Sequence, residues 1–127
     1  MGIRVLVLDD QQYLRDIITA IIEDAGYPAL AVASADEALL RMEQMPPELL
    51  VLDLSLPGTS GLQFLDQLRA EDPWQTLPVI VVSGDPAKLG AVAGREHVIS
   101  LTKPFDVNAL VGAIEQTLGP PALTQSV

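Results

Sequence analysis

Leu49-Leu50-Val51-Leu52-Asp53-Leu54-Ser55-Leu56-Pro57-Gly58 holds the key to the fold. Four apolar residues in a row, with no polar residue between them, suit a strand covered on both faces, and the run stops on a carboxylate. Pro57-Gly58-Thr59-Ser60-Gly61 then reads as a loop. Beyond it Leu62, Leu65 and Leu68 repeat at helical spacing as far as Pro73, and before the strand Pro46 and Pro47 end an earlier helix.

The same strand, polar end, helix grammar recurs on either side. Residues 3–8, Ile3-Arg4-Val5-Leu6-Val7-Leu8, read as a first strand ending on Asp9-Asp10. Leu14, Ile17, Ile18, Ile21, Ile22 and Ala25 line one side of a helix that Gly26 stops. Residues 29–33 form a second short strand, and Ser34 and Glu37 have the spacing of a capping box at the head of a second helix. Val79-Ile80-Val81-Val82 gives a fourth strand ending at Ser83-Gly84, and Val98-Ile99-Ser100-Leu101 a fifth ending before Lys103-Pro104, with a short helix between them. Asp106 caps a last helix with apolar positions Val107, Leu110, Val111, Ile114 and Leu118, closed by Gly119-Pro120-Pro121. Five apolar strands alternating with five helices predict an α/β protein, a three-layer α/β/α sandwich around a parallel sheet. Residues 1–119 are expected to form one domain, and residues 120–127 a frayed tail or the start of a linker.

Composition narrows the function. The 127 residues are 49% hydrophobic and 19% charged, which fits a folded core and excludes disorder. A net charge of −10 opposes direct binding to nucleic acid or anionic lipid. The absence of cysteine removes disulfides, thiolate metal sites and thiol nucleophiles, and the single His97, a surface or loop histidine with no assigned function, cannot build a histidine metal cluster. Trp74, after Pro73, is likewise left without a role. No run approaches the ~20 apolar residues of a membrane span, and the N-terminal apolar run is too short for a signal peptide, so a soluble cytoplasmic protein is expected.

In open parallel sheets the site lies at the carboxyl ends of the strands. The residues there are Asp9 and Asp10, Asp53, Ser83 and Lys103. Three carboxylates at one edge repel one another unless a cation balances them, and Mg²⁺, which prefers carboxylate, water and phosphate oxygens, suits a set without sulfur or imidazole. A carboxylate can also attack phosphorus to form an acyl phosphate. Asp53, alone at the end of a central strand, is the better nucleophile, while the adjacent Asp9-Asp10 pair is better suited to metal. Lys103 would neutralise phosphoryl oxygens and Ser83 would donate to a third. Each residue also has a plainer use: Asp9-Asp10 as an N-cap and turn, Asp53 as a solvated strand end, Ser83 as a turn residue before Gly84, Lys103 as a surface lysine.

Asp9-Asp10, Asp53 followed by Leu56-Pro57-Gly58 and Gly61, Ser83-Gly84, and Lys103-Pro104-Phe105, in this order, resemble the receiver domains of two-component response regulators over residues 3–118. The resemblance implies a flavodoxin-like sheet of order 2-1-3-4-5 with five helices. It implies that Asp53 accepts a phosphoryl group from a histidine kinase, a histidine phosphotransfer protein or a small acyl phosphate. By the same resemblance Asp10, Asp53 and the backbone carbonyl of Ser55 would hold Mg²⁺, with Asp9 acting mostly through water. Ser83 would be the switch hydroxyl, Lys103 the phosphate-pairing lysine, and Lys103-Pro104 a cis peptide. Pro57, Gly58, Gly84 and Pro104 would shape the loops of the site. Such a domain is a regulatory phosphoacceptor rather than an enzyme, with self-phosphorylation and self-dephosphorylation chemistry, and it controls a downstream protein or an effector domain. A pseudo-receiver without phosphorylation and a Mg²⁺-dependent phosphohydrolase are the competing classes. The intact pocket speaks against the first, and the lack of a further acid or base speaks against the second.

Two departures from the family bear on output. Ser100 stands three residues before Lys103, where most receivers carry Tyr or Phe. The stretch between Ser83 and Lys103 is a residue or two short, and Gly90 and Gly94 weaken the helix within it.

Overall fold

The computed structural model describes residues 3–56, 58 and 60–121. The elements in chain order are β1 (Val5–Leu8), α1 (Gln12–Asp24), β2 (Ala29–Val32), α2 (Ala35–Gln44), β3 (Leu49–Asp53), α3 (Gly61–Arg69), a 3-10 turn (Trp74–Thr76), β4 (Val79–Ser83), α4 (Pro86–Val92), β5 (Val98–Thr102) and α5 (Val107–Leu118). All neighbouring strands pair in parallel, in the order β2-β1-β3-β4-β5. This is the expected flavodoxin-like arrangement.

Strand alternation divides the core into two layers. Leu6, Leu8, Leu50, Leu52, Val79 and Val81 face Met42 of α2, Phe64, Leu65 and Leu68 of α3, and Val92 of α4. Val5, Val7, Leu49, Val51, Ile80 and Val82 face Ile18 and Ile22 of α1 with Leu110 and Ile114 of α5. The three central strands are buried along their whole length, which is why their sequences are unbroken apolar runs. The edge strands β2 and β5 are only partly covered, and Ser100 and Thr102 are exposed. Among the described residues no helix is long and apolar enough to cross a membrane.

Helix starts follow side-chain chemistry. Ser34 accepts from the Glu37 N–H, but the Glu37 carboxylate takes the Ala33 N–H, so the expected reciprocal box is displaced by one residue. The complete capping box lies at Ser60 and Gln63, hidden in the sequence by the loop-like run around it. Asp85 and Asp106 cap α4 and α5 by accepting from Ala87 and Asn108. Val107, expected on the buried stripe of α5, is half exposed because it opens the helix beyond the layer that Leu110 and Ile114 fill. Trp74 is buried with Leu77 in the core layer covered by α2, α3 and α4.

The start of the expected tail is tied down rather than frayed. The buried Tyr27 hydroxyl donates to the Gly119 carbonyl at 2.7 Å, across 92 residues of sequence. Gly26, at φ +102, has Pro121 packed so closely that a Cβ would lie 2.8 Å from the Pro121 Cβ. Burial raises the Tyr27 phenol above its ordinary value, as does Glu115, against the pull of Arg4, whose guanidinium sits 5.5 Å from the ring centroid and pairs with Glu48. The rest of the expected tail, residues 122–127, lies outside the described residues. Tyr27→Phe should cost about 1 kcal/mol by leaving the Gly119 carbonyl without its donor, and should speed amide exchange in the last turn of α5. Denaturant melts with hydrogen exchange check this, and unchanged exchange there would show that the bond does not hold the helix end.

Candidate functional site

Each residue of the site is delivered by the end of a strand. Asp9 follows β1 and is 2% exposed, Asp53 closes β3 at 5%, and Ser83 closes β4 at 0%, while Asp10 is exposed. The Lys103 N–H donates to the Ser83 carbonyl at 2.9 Å, which carries the β4–β5 ladder one step further and sets the lysine beside the carboxylates. Its ammonium lies 3.6 Å from Asp9 Oδ2 and 3.6 Å from Asp53 Oδ1. The structure thus brings the three carboxylates and the lysine together, and joins Ser83 to them through its backbone carbonyl.

The carboxylates are oriented by the backbone. Asp9 Oδ1 accepts from the Gln11 N–H at 2.9 Å, so Asp9 also shapes the turn into α1, although Gln11 rather than an aspartate occupies the cap position. Asp53 Oδ1 accepts from the Ser55 N–H at 2.9 Å. Asp53 Oδ2 accepts no hydrogen bond among the described residues. Ser83 Oγ accepts from the Asp85 N–H at 3.0 Å, joining the end of β4 to the cap of α4.

Among the described glycines, Gly61 is the one with backbone pressed against it. Its N–H donates to the Leu54 carbonyl at 3.2 Å, and a Cβ there would overlap the Asp53 carbonyl and the Leu54 backbone, so α3 can begin directly under the end of β3 only with glycine. Gly58, at φ +75, turns in open space, and Gly84 has the Lys103 Cβ only at ordinary contact distance. Pro104 follows a cis peptide, as the resemblance implies, and is exposed. Pro57 lies outside the described residues.

Two further contacts were not anticipated from sequence. Arg15 of α1 donates to the Asp9 carbonyl at 3.0 Å, and Lys88 of α4 donates to Ser55 Oγ at 3.2 Å. The available signal for the second was that Lys88 and Lys103 are the only lysines in the chain.

One carboxylate oxygen each from Asp9, Asp10 and Asp53 lies within 4.8 Å of the others. Hard oxygen donors around a shared point, with a single ammonium beside two of them, fit a small divalent cation. Asp9 shows the strain of sharing this space. Burial raises its carboxyl above the ordinary value, the Gln11 N–H lowers it, Asp53 raises it, Lys103 lowers it and Asp10 raises it, for a net upward shift.

A carboxyl with a raised folded pKa holds its proton more tightly in the folded than in the unfolded chain. Its contribution to stability is therefore present at low pH and is lost as pH climbs from the ordinary carboxylate value through the raised one. Without divalent cation, Asp9→Asn should stabilise the protein at neutral pH, since the amide keeps an acceptor for Gln11 and drops the charge. Melts in chelator from acidic to neutral pH should show the gap widening with pH. A lower melting temperature for the variant at neutral pH would mean that the Lys103 pairing outweighs burial and repulsion.

Comparison with known proteins agrees with this geometry. The profile of the response regulator receiver domain family matches residues 5–115. The phosphate regulon transcriptional regulatory protein PhoB of Escherichia coli (strain K12) is 29% identical over 120 residues, which are 93% of this chain and 52% of that protein. The nitrogen assimilation regulatory protein NtrX of Azorhizobium caulinodans is 34% identical over 118 residues, 90% of this chain and 26% of the relative. The chain thus spans about half the length of the PhoB relatives it matches. Among solved structures, the receiver domain of NtrX from Brucella abortus superposes with a TM-score of 0.79 at 30% identity, covering 90% of this chain and 97% of that one. A chemotaxis protein CheY4 from Vibrio cholerae shares the fold at a TM-score of 0.82 and 22% identity, covering 93% of this chain and 100% of that one. With the match running from the first strand into the last helix, the chain belongs to the receiver domains of two-component response regulators.

Proposed function

We propose that Asp53 is the phosphoacceptor of this receiver, charged from the phosphohistidine of a histidine kinase or histidine phosphotransfer protein, or from a small acyl phosphate. The observation that carries this is the division of labour on its carboxylate. Oδ1 accepts from the Ser55 N–H at 2.9 Å and lies 3.6 Å from the Lys103 ammonium, while Oδ2 accepts no hydrogen bond among the described residues and is the oxygen available to attack phosphorus.

Asp10, Asp53 and the Ser55 carbonyl hold Mg²⁺ in this proposal, with Asp9 reaching it through water. The bound ion supplies charge neutralisation for the carboxylates and the incoming phosphoryl oxygens. The chain's own groups do the rest. Lys103 meets one phosphoryl oxygen, and its pairing with Asp9 and Asp53 keeps the ammonium in place beforehand. Buried β3 fixes the acceptor against its neighbours, so positioning is set before a donor arrives.

Output is assigned to Ser83 and its loop. Turning Ser83 Oγ toward a phosphoryl oxygen releases the Asp85 N–H, and Asp85 caps α4. Ser100, exposed on the edge strand, is too small to carry a ring movement. The regulatory unit is residues 1–119, acting in the cytoplasm on a protein partner or an effector domain, and its charge of −10 keeps the unit itself off nucleic acid. Self-phosphorylation and self-dephosphorylation are part of the same proposal.

Incubation with acetyl phosphate and Mg²⁺ followed by intact mass should show one added phosphoryl group, and Asp53→Asn should abolish it. Labelling of the variant at wild-type yield would move the acceptor to another carboxylate. In hydrogen exchange with and without beryllium fluoride, Ser83→Ala should lose most of the response over residues 84–94 while Ser100→Ala keeps it. A full response in Ser83→Ala would send the signal out by another route.

A further inference from the structure

Lysine is scarce in this chain, and both of its lysines stand at the carboxyl end of the sheet. Lys103 is accounted for by the two carboxylates it pairs with. Lys88 is not. It lies in the first turn of α4, exposed, where a cation gains nothing from the peptide dipoles. Its hydrogen bond among the described residues, to Ser55 Oγ at 3.2 Å, is an exposed contact of the kind that adds little stability.

The position is what distinguishes this contact. Ser55 is the residue whose N–H holds Asp53 Oδ1, so Lys88 rests one residue's reach from the acceptor, on the α4 side, while Lys103 approaches from the end of β5. Asp9, Asp10 and Asp53 make the edge strongly acidic on a chain of net charge −10, and Arg15 reaches it only from the α1 side, at the Asp9 carbonyl. A doubly charged donor entering such a field is repelled unless cations line its approach. Ser55 Oγ is an acceptor that a phosphoryl oxygen can replace.

We propose that Lys88 is a second phosphoryl-binding lysine, which captures an anionic acyl phosphate donor and exchanges Ser55 Oγ for a phosphoryl oxygen while Asp53 attacks. The inference deepens the phosphoacceptor proposal and rests on it. In the transfer an Asp53 oxygen forms a bond to phosphorus as the bond from phosphorus to the donor's acyl oxygen breaks. The donor leaves as its carboxylate with that electron pair, and no proton need be moved. Lys88 and Lys103 then flank the phosphoryl oxygens, and the first turn of α4 is held to the acceptor through a side chain of its own.

The test compares wild type, Lys88→Gln and Lys88→Arg in the rate of labelling by acetyl phosphate at saturating Mg²⁺, at low and high salt. Lys88→Gln should be slower by about tenfold at low salt and less sensitive to salt, and Lys88→Arg should keep most of the wild-type rate. All three should melt alike. A wild-type rate and salt dependence in Lys88→Gln, or equal losses in Gln and Arg, would overturn the proposal. A second measurement needs no transfer: side-chain NMR of the two lysines during titration with acetylphosphonate. Both lysines should shift, and an unmoved Lys88 would overturn the proposal. If wild type takes no label while both lysines respond, it is the acceptor assignment that fails, and of the role given to Lys88 the binding of a phosphoryl group alone stands.

Discussion

Three carboxylates are forced together because a parallel sheet buried on both faces has no other place for polar residues than its ends. β1, β3 and β4 carry no exposed position, so chemistry in this chain collects where those strands stop. Asp9 and Asp53 are buried there, within reach of Asp10 and of one ammonium. Like charges at that distance and depth are costly, and the upward shift of Asp9 is the local expression of that cost. The fold tolerates it because the layers of apolar side chains below over-determine the strand positions. A site strained in this way responds strongly to added cation or phosphoryl charge, which is what a switch requires.

The response has a short path outward. Ser83 is buried but its hydroxyl is spent on the Asp85 N–H, and Asp85 in turn caps α4. α4 is the shortest α-helix of the fold, seven residues with Gly90 among them, and Val92 is its fully buried side chain, with Leu89 packed partly buried beside the same core. By contrast the opposite end of the sheet is tied by Tyr27 to Gly119 and by Arg4 to Glu48.

Much of this was legible in sequence because periodicity and strand-end chemistry are local properties. The apolar runs, the order of polar residues that close them, and Asp106 as a cap are all visible without tertiary knowledge. What escaped depended on distance in the chain. The packing of Pro121 on Gly26, like the tie between Tyr27 and Gly119 across 92 residues, depends on distant parts of the chain, so residues 120–121 looked like the start of a tail. Val107 has the spacing of a core residue, but its burial depends on where α5 sits relative to the sheet. The capping box at Ser60 was masked by a run of turn-forming residues, since the same side chains serve loops and helix starts. Lys88 meets Ser55 across 33 residues, and nothing in the spacing announces it.

The central claim is that the acidic edge is built to receive a phosphoryl group on Asp53. A crystal structure with Mg²⁺ and beryllium fluoride tests it most directly. The expected result is the fluoride complex on Asp53, with the Lys103 ammonium in hydrogen-bond contact with it and Ser83 Oγ turned away from the Asp85 N–H. A complex seated on another carboxylate, with Asp53 still bound only to Ser55 and Lys103, would contradict it.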